Sequence, residues 1–153
     1  FEHKALYRSV KTAVPTGYYE IPLGKARVIC TGDQVSIITF GAGVHWAIEV
    51  LANHPEIKAT LIDLRTLVPM DTKTILDSVR STGRLLLIQE DTLFGGVCSD
   101  ISALVMEQAF QFLDAPVMRV GSLETPIPFA HHLEQGFLAK SRVEESLLKL
   151  MAY

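Results

Sequence analysis

Residues 83–91 read Gly83-Arg84-Leu85-Leu86-Leu87-Ile88-Gln89-Glu90-Asp91. A continuous apolar run that follows a glycine and stops at acids has the pattern of a strand covered on both faces, as happens in a parallel sheet flanked by helices. The segment is expected to be the central strand of such a sheet.

The flanking residues extend the same pattern. Upstream, Asp71 is placed to cap a helix whose core face is Ile75, Leu76 and Val79 and whose end is Gly83. Thr60-Leu61-Ile62-Asp63-Leu64 alternates as a strand. Before it, Val44, Ala47, Ile48 and Leu51 recur at helical spacing after Gly41-Ala42-Gly43, and His54-Pro55 closes the segment. Two β-prone runs, 26–30 and 35–40, are separated by the turn chemistry of Thr31-Gly32-Asp33, and so short a turn predicts an antiparallel pair. Downstream come a long helix from Gly96 to Leu113, a strand from Val117 to Val120, the proline-rich loop Thr125-Pro126-Ile127-Pro128 and a closing helix from Arg142 to Met151. Helix and strand in alternation predict a three-layer α/β/α domain around a mostly parallel five-stranded sheet with one antiparallel strand. Residues 1–24, with Pro15, Gly17, Pro22, Gly24 and three tyrosines, read as a connector.

Composition narrows the function classes. The chain has 153 residues, 48% hydrophobic and 20% charged, with a formal charge of -3, a pI of 5.9 and a mean hydropathy of +0.26. That balance excludes a disordered tail. The absence of a basic run argues against nucleic acid as a partner, and no apolar stretch approaches the roughly 20 residues of a membrane helix. The two cysteines, Cys30 and Cys98, are expected to be free thiols rather than a disulfide. Phe1-Glu2-His3-Lys4 resembles no targeting peptide, and the chain reads as a piece of something longer.

Ligands of such sheets bind beyond the carboxyl ends of the parallel strands. Gly41-Ala42-Gly43 lies there but lacks the third glycine of a dinucleotide fingerprint, Trp46 standing in its place. Arg65, Glu90 and Asp91 form a candidate strand-end site able to do acid/base work if burial raises a carboxyl pKa. The competing reading is an ion pair, because adjacent residues of a strand point to opposite faces. His131-His132 lacks further ligands at metal spacing and reads as exposed loop imidazoles. Cys98 at a helix start has the position of a lowered-pKa nucleophile with His45 as a conceivable base, though nothing in the sequence brings them together. Apolar residues of the helix from Gly96 to Leu113, among them Ile101, Leu104, Val105, Met106 and Phe110, cover more than one face. Either that helix lies deep in the domain or its second face meets another subunit.

Several motifs occur in order: IPLGKARV at 21–28, IDLRTLVPMD at 62–71, GRLLLIQED at 83–91, FGGVCSDI at 94–101, FLDAPVMRVG at 112–121 and TPIPF at 125–129. Together they resemble the C-terminal part of the β chain of thiamine-diphosphate-dependent 2-oxoacid dehydrogenases, over nearly the whole chain. The resemblance implies a transketolase C-terminal-type fold over residues 25–153, with residues 1–24 as the linker and the end of a preceding pyrimidine-binding domain. It implies a parent that decarboxylates pyruvate or 2-oxoisovalerate on thiamine diphosphate and magnesium held in other domains, with no cofactor and no catalytic residue in this piece. Its expected partners are the missing N-terminal domain, an α chain or fused α region, a second β chain and the subunit-binding domain of the dihydrolipoyl acyltransferase. The docking residues so implied are Asp114, in the LDAP motif, and the carboxylate of Tyr153. The expected compartment is the bacterial cytoplasm or the mitochondrial matrix.

Overall fold

The computed structural model describes residues 2–153. Its elements are α1 (Leu6–Ser9), β1 (Arg27–Cys30), β2 (Val35–Thr39), α2 (Ala42–Asn53), β3 (Ala59–Asp63), α3 (Thr72–Thr82), β4 (Leu85–Thr92), α4 (Val97–Ala109), β5 (Met118–Ser122), α5 (His131–Phe137) and α6 (Lys140–Met151), with a 3-10 turn at Phe110–Phe112. The five strands run in the order β1-β3-β2-β4-β5. β1 is antiparallel to β3, and the other neighbours are parallel.

Strand periodicity divides the core in two. Ile37, Leu61, Leu86 and Ile88 pack with α2 and α6 through Ala47, Val50, Val143, Leu147 and Leu150. Their sequence neighbours Ile38, Ile62, Leu85 and Leu87 pack on the other face with Ile75 and Val79 of α3 and Ile101 and Val105 of α4. Every aliphatic in these two sets except Val50 is at most 1% exposed, and each buried Val, Leu or Ile side chain contributes about 1.5–3 kcal/mol. The three-layer architecture with one antiparallel strand is thus as expected. Among the described residues no helix is long and apolar enough to cross a membrane.

Four expectations are corrected. The runs 26–30 and 35–40 do not pair: β1 lies against β3, with Arg27 opposite Asp63 and Val28 opposite Ile62. Both edges of β2 are taken by β3 and β4, and the turn between the two runs is stitched to the start of β3 instead. There the Thr60 hydroxyl donates to Gly32 O and accepts from Gly32 N–H, while Gln34 N–H donates to Lys58 O. β4 is interior and buried, but β2 is the middle strand. The long helix stops at Ala109 and tightens into the 3-10 turn, and His131-His132 opens a short helix rather than lying in a loop.

The connector is tied down at its end. Gly24 N–H donates to the Thr66 hydroxyl and Ala26 N–H to Asp71 Oδ2, while Leu6 packs against the α2/α6 core.

Candidate functional site

The carboxyl ends of the parallel strands do not assemble the expected trio. Strand order places β2 between β3, which Arg65 follows, and β4, which carries the acids. Arg65 adopts a left-handed backbone, φ 58°, its N–H donating to Asp63 Oδ1 at 3.1 Å, and among the described residues it makes no ion pair with either acid. Glu90 instead meets His3 Nε2 at 2.5 Å, a partner 87 residues away. Asp91 is exposed and accepts the Thr92 N–H at 2.8 Å. Glu90 and Asp91 do line a cavity of about 590 Å³, together with Phe40, Thr125, Pro126 and Phe137. The chemistry left is that of two acids lining a largely apolar hollow, with His3 on Glu90 in place of the expected Arg65.

Gln89, which the sequence reading passed over, organises this end. It is 1% exposed; its Oε1 accepts the Cys98 N–H at 2.8 Å, and its Nε2 donates to Thr92 O and Asp91 O. One amide therefore caps the open start of α4 and pins the loop from β4. Its visible trace in the sequence is a lone polar residue closing an aliphatic run. Arg142 does the same for the β5–α5 side, donating to the carbonyls of Gly121, Gly136 and Phe137.

The donor set does not fit a magnesium–diphosphate group. Among the described residues no cluster of His, Cys, Asp or Glu is suited to a metal ion. The glycines at these helix starts are filled by the chain itself: a Cβ on Gly43 would approach Ile88 Cγ2 to 3.3 Å, and one on Gly96 would come within 2.6 Å of Gln89 Cδ. His131 faces Glu134 at 3.9 Å and is 82% exposed. Cys98 lies in the α3/α4 core and His45 belongs to α2 on the opposite face of the sheet, so the nucleophile and base are not brought together. Burial pushes the Cys98 thiol up to about 12, against the pull of Arg119.

Of the docking candidates, Asp114 lies at the opposite end of the sheet, ahead of β5. Asp114 is exposed and donates its N–H to Gly83 O at 2.7 Å. Next to it, Ala115 joins the core that also holds Leu147 and Leu150 of α6, and Tyr153, 61% exposed, follows that helix. Asp114 also borders a groove of about 410 Å³ with Met106, Phe110, Leu113, Pro116 and Val117. α4 buries Cys98, Ile101, Val105 and Ala109 on one side only. Its other side leaves Met106 and, beyond it, Phe110 open, so the helix is not submerged in the domain as one of the two readings of its wide apolar stripe had it. The Arg80 guanidinium stands 5.8 Å from the centre of the nearby Phe112 ring.

Residues 24–142 match the model of the transketolase C-terminal domain family. The chain is 36% identical to 2-oxoisovalerate dehydrogenase subunit beta of Bacillus subtilis (strain 168), over 99% of this chain and 47% of that protein. It is 38% identical to the pyruvate dehydrogenase E1 component subunit beta of Rickettsia felis, over 92% of this chain and 44% of that one. It is 42% identical to the acetoin:2,6-dichlorophenolindophenol oxidoreductase subunit beta of Cupriavidus necator, over 90% of this chain and 41% of the relative. The chain thus spans less than half the length of these curated relatives. A solved structure described as a split gene transketolase, an inactive beta4 tetramer, superposes with a TM-score of 0.74 at 23% identity, over 94% of this chain and 46% of that one, a likeness of fold. By its sequence over most of its length and by the fold built from it, the chain belongs to the transketolase C-terminal domain family.

Proposed function

We propose that this chain is the C-terminal assembly and docking domain of the β chain of a 2-oxoacid dehydrogenase first component. In this reading residues 1–24 are the linker and the end of a preceding pyrimidine-binding domain, and residues 25–153 form the docking module. The parent decarboxylates 2-oxoisovalerate or pyruvate and acylates a lipoyl arm. Thiamine diphosphate supplies the carbanion chemistry of that reaction, and it and magnesium are held by the other domains, an α chain or fused α region among them. A relative named for acetoin is as similar as those named for 2-oxoacids, which supports placing substrate selection outside this domain. Soluble compartments, the bacterial cytoplasm or the mitochondrial matrix, suit relatives of both origins.

The observation that carries the docking role is the exposed Asp114 bordering an open groove that Met106, Phe110 and Leu113 also line; Tyr153, after α6, is exposed as well. A carboxylate beside exposed apolar surface suits a small basic domain that also carries an apolar contact, the charge steering approach and the groove supplying the buried area. The strand-end alternative on Arg65, Glu90 and Asp91 loses its support because Arg65 stands across β2 from the two acids.

Calorimetric titration of the assembled enzyme with the acyltransferase's subunit-binding domain, at low and moderate salt, tests the proposal. Binding that weakens with salt and drops about tenfold or more with Asp114→Asn is expected. Wild-type affinity in the variant would remove Asp114 from the docking surface, and no binding by the intact assembly would remove the docking role.

A further inference from the structure

His54 follows α2 directly, its N–H closing the helix on Leu51 O. Its ring has a carboxylate at each nitrogen: Nδ1 lies 3.0 Å from Glu56 Oε1 and Nε2 lies 2.6 Å from Glu144 Oε1. Glu56 is in the same turn, whereas Glu144 belongs to α6, 90 residues on. An ionised carboxylate only accepts hydrogen bonds, so both ring nitrogens must donate, and only the imidazolium has two N–H groups. The positive ring also sits where the α2 backbone dipole favours a cation. The His54 side chain is 18% exposed, more sheltered than either acid.

The contact has a companion. Lys140 of α6 pairs with Glu49 of α2 at 2.7 Å, and between the two bridges the helices enclose a cleft of about 380 Å³ floored by Val50 and Leu138. The charged groups that act on the ring are Glu56 from the turn and Glu144 from α6; the nearby lysines of these elements are Lys58 and Lys140. Lys58 Nζ donates to Pro55 O, and Lys140 is already engaged by Glu49. Neither offers Glu144 an ammonium partner closer than His54.

We infer that His54 is a pH-responsive clasp between α2 and α6, closed while the ring is doubly protonated and opened on the α6 side when it loses a proton. A neutral ring keeps one N–H and turns a lone pair toward the other carboxylate. The local Glu56 contact survives more readily than one that must hold two helices together. The hydrogen bond that the ring donates to Glu144, then that to Glu56, raise the His54 pKa above its ordinary value, with burial opposing. A histidine raised in the folded state adds stability that is complete below its unfolded value near 6.5 and is lost as pH rises through the higher folded value. Alkaline conditions therefore loosen α6.

The test uses the whole protein in its native assembly. Mass spectrometry of histidine C2–H exchange across pH 5–9.5 reads the His54 midpoint, and amide exchange of α6 peptides, set against α3 peptides in the same samples, reads the clasp. The expected midpoint lies above 6.5 and falls by about one pH unit in Glu144→Gln, with α6 protection declining relative to α3 through the wild-type midpoint but not in His54→Gln. A wild-type midpoint at or below 6.5 would overturn the inference. So would an α6-to-α3 ratio that follows the same pH course in wild type and in both variants.

Discussion

The carboxyl carbon of Asp114 occupies the space that a side chain on Gly83 would need: a Cβ built there would come within 2.9 Å of it. Gly83 ends α3 in the left-handed region, φ 68°, and its carbonyl holds the Asp114 N–H. The helix terminus and Asp114 are thus one packed unit. Gly83→Ala adds a left-handed penalty of about 1–2 kcal/mol and pushes the carboxylate aside. Gly95, φ 70°, has nothing within 4 Å of its own virtual Cβ, so Gly95→Ala suffers the backbone penalty alone. Urea denaturation is expected to rank Gly83→Ala as the more destabilised; equal losses would mean that the Asp114 contact gives way freely.

Gln89 is expected to be the residue whose loss frees the β4–α4 loop. Gln89→Leu keeps the volume but leaves the buried Cys98 N–H and the carbonyls of Thr92 and Asp91 without their partner. An orphaned buried donor costs about 1–3 kcal/mol. The loss should appear in denaturant melts and as faster amide exchange across residues 92–98, with α3 unchanged. Exchange confined to its wild-type rate in that loop would show that Gln89 merely fills space.

What the sequence made legible were features with a local cause. The aliphatic run of β4, the Asp71 cap and the Gly83 stop each follow from a few neighbouring residues. The false hairpin shows the limit: turn chemistry at 31–33 is real, but which strand β1 pairs with depends on the Thr60 hydroxyl holding Gly32 from 28 residues away. α5 escaped because seven residues with Phe137 as their one buried side chain give no period to read. The site was half visible. Strand-end acids fall where α/β topology puts them, yet the separation of Arg65 from Glu90 rests on strand order, and His3 and Glu144 find their partners across 87 and 90 residues.

Asp71 should give the protein an acid-sensitive joint. Its Oδ1 accepts the Thr74 N–H at 3.2 Å and its Oδ2 the Ala26 N–H at 3.1 Å, tying the connector to α3 in a site 7% exposed. Burial pushes its pKa up, but the hydrogen bonds from Ala26 and Thr74, with the charge of Lys25, outweigh it and hold the carboxyl below its ordinary range. A depressed carboxylate contributes stability above its unfolded pKa, lost as pH falls through the folded value. Asp71→Asn is expected to cost about 1 kcal/mol at pH 7, with the gap to wild type closing below about pH 4. Urea midpoints for both proteins at pH 7, 5 and 3.5 check this, and a gap that stays constant would show that the charge of Asp71 contributes nothing.

The two cysteines offer the sharpest contrast in reactivity, because the same chemistry meets opposite environments. Cys98 is 1% exposed, and burial holds its thiol at about 12, with Arg119 too weak an opposing influence to restore it. Cys30 is exposed on the edge strand, its thiol donating to Ala59 O. Since the thiolate is the nucleophile, the raised pKa and closed packing of Cys98 should both suppress its alkylation, while the exposed Cys30 is open to the reagent. Iodoacetamide followed by peptide mass spectrometry is expected to modify Cys30 in the native protein and Cys98 only after urea. Comparable labelling of both in buffer would mean that α4 leaves the sheet, which its packing against β4 and its Gln89 cap are built to prevent.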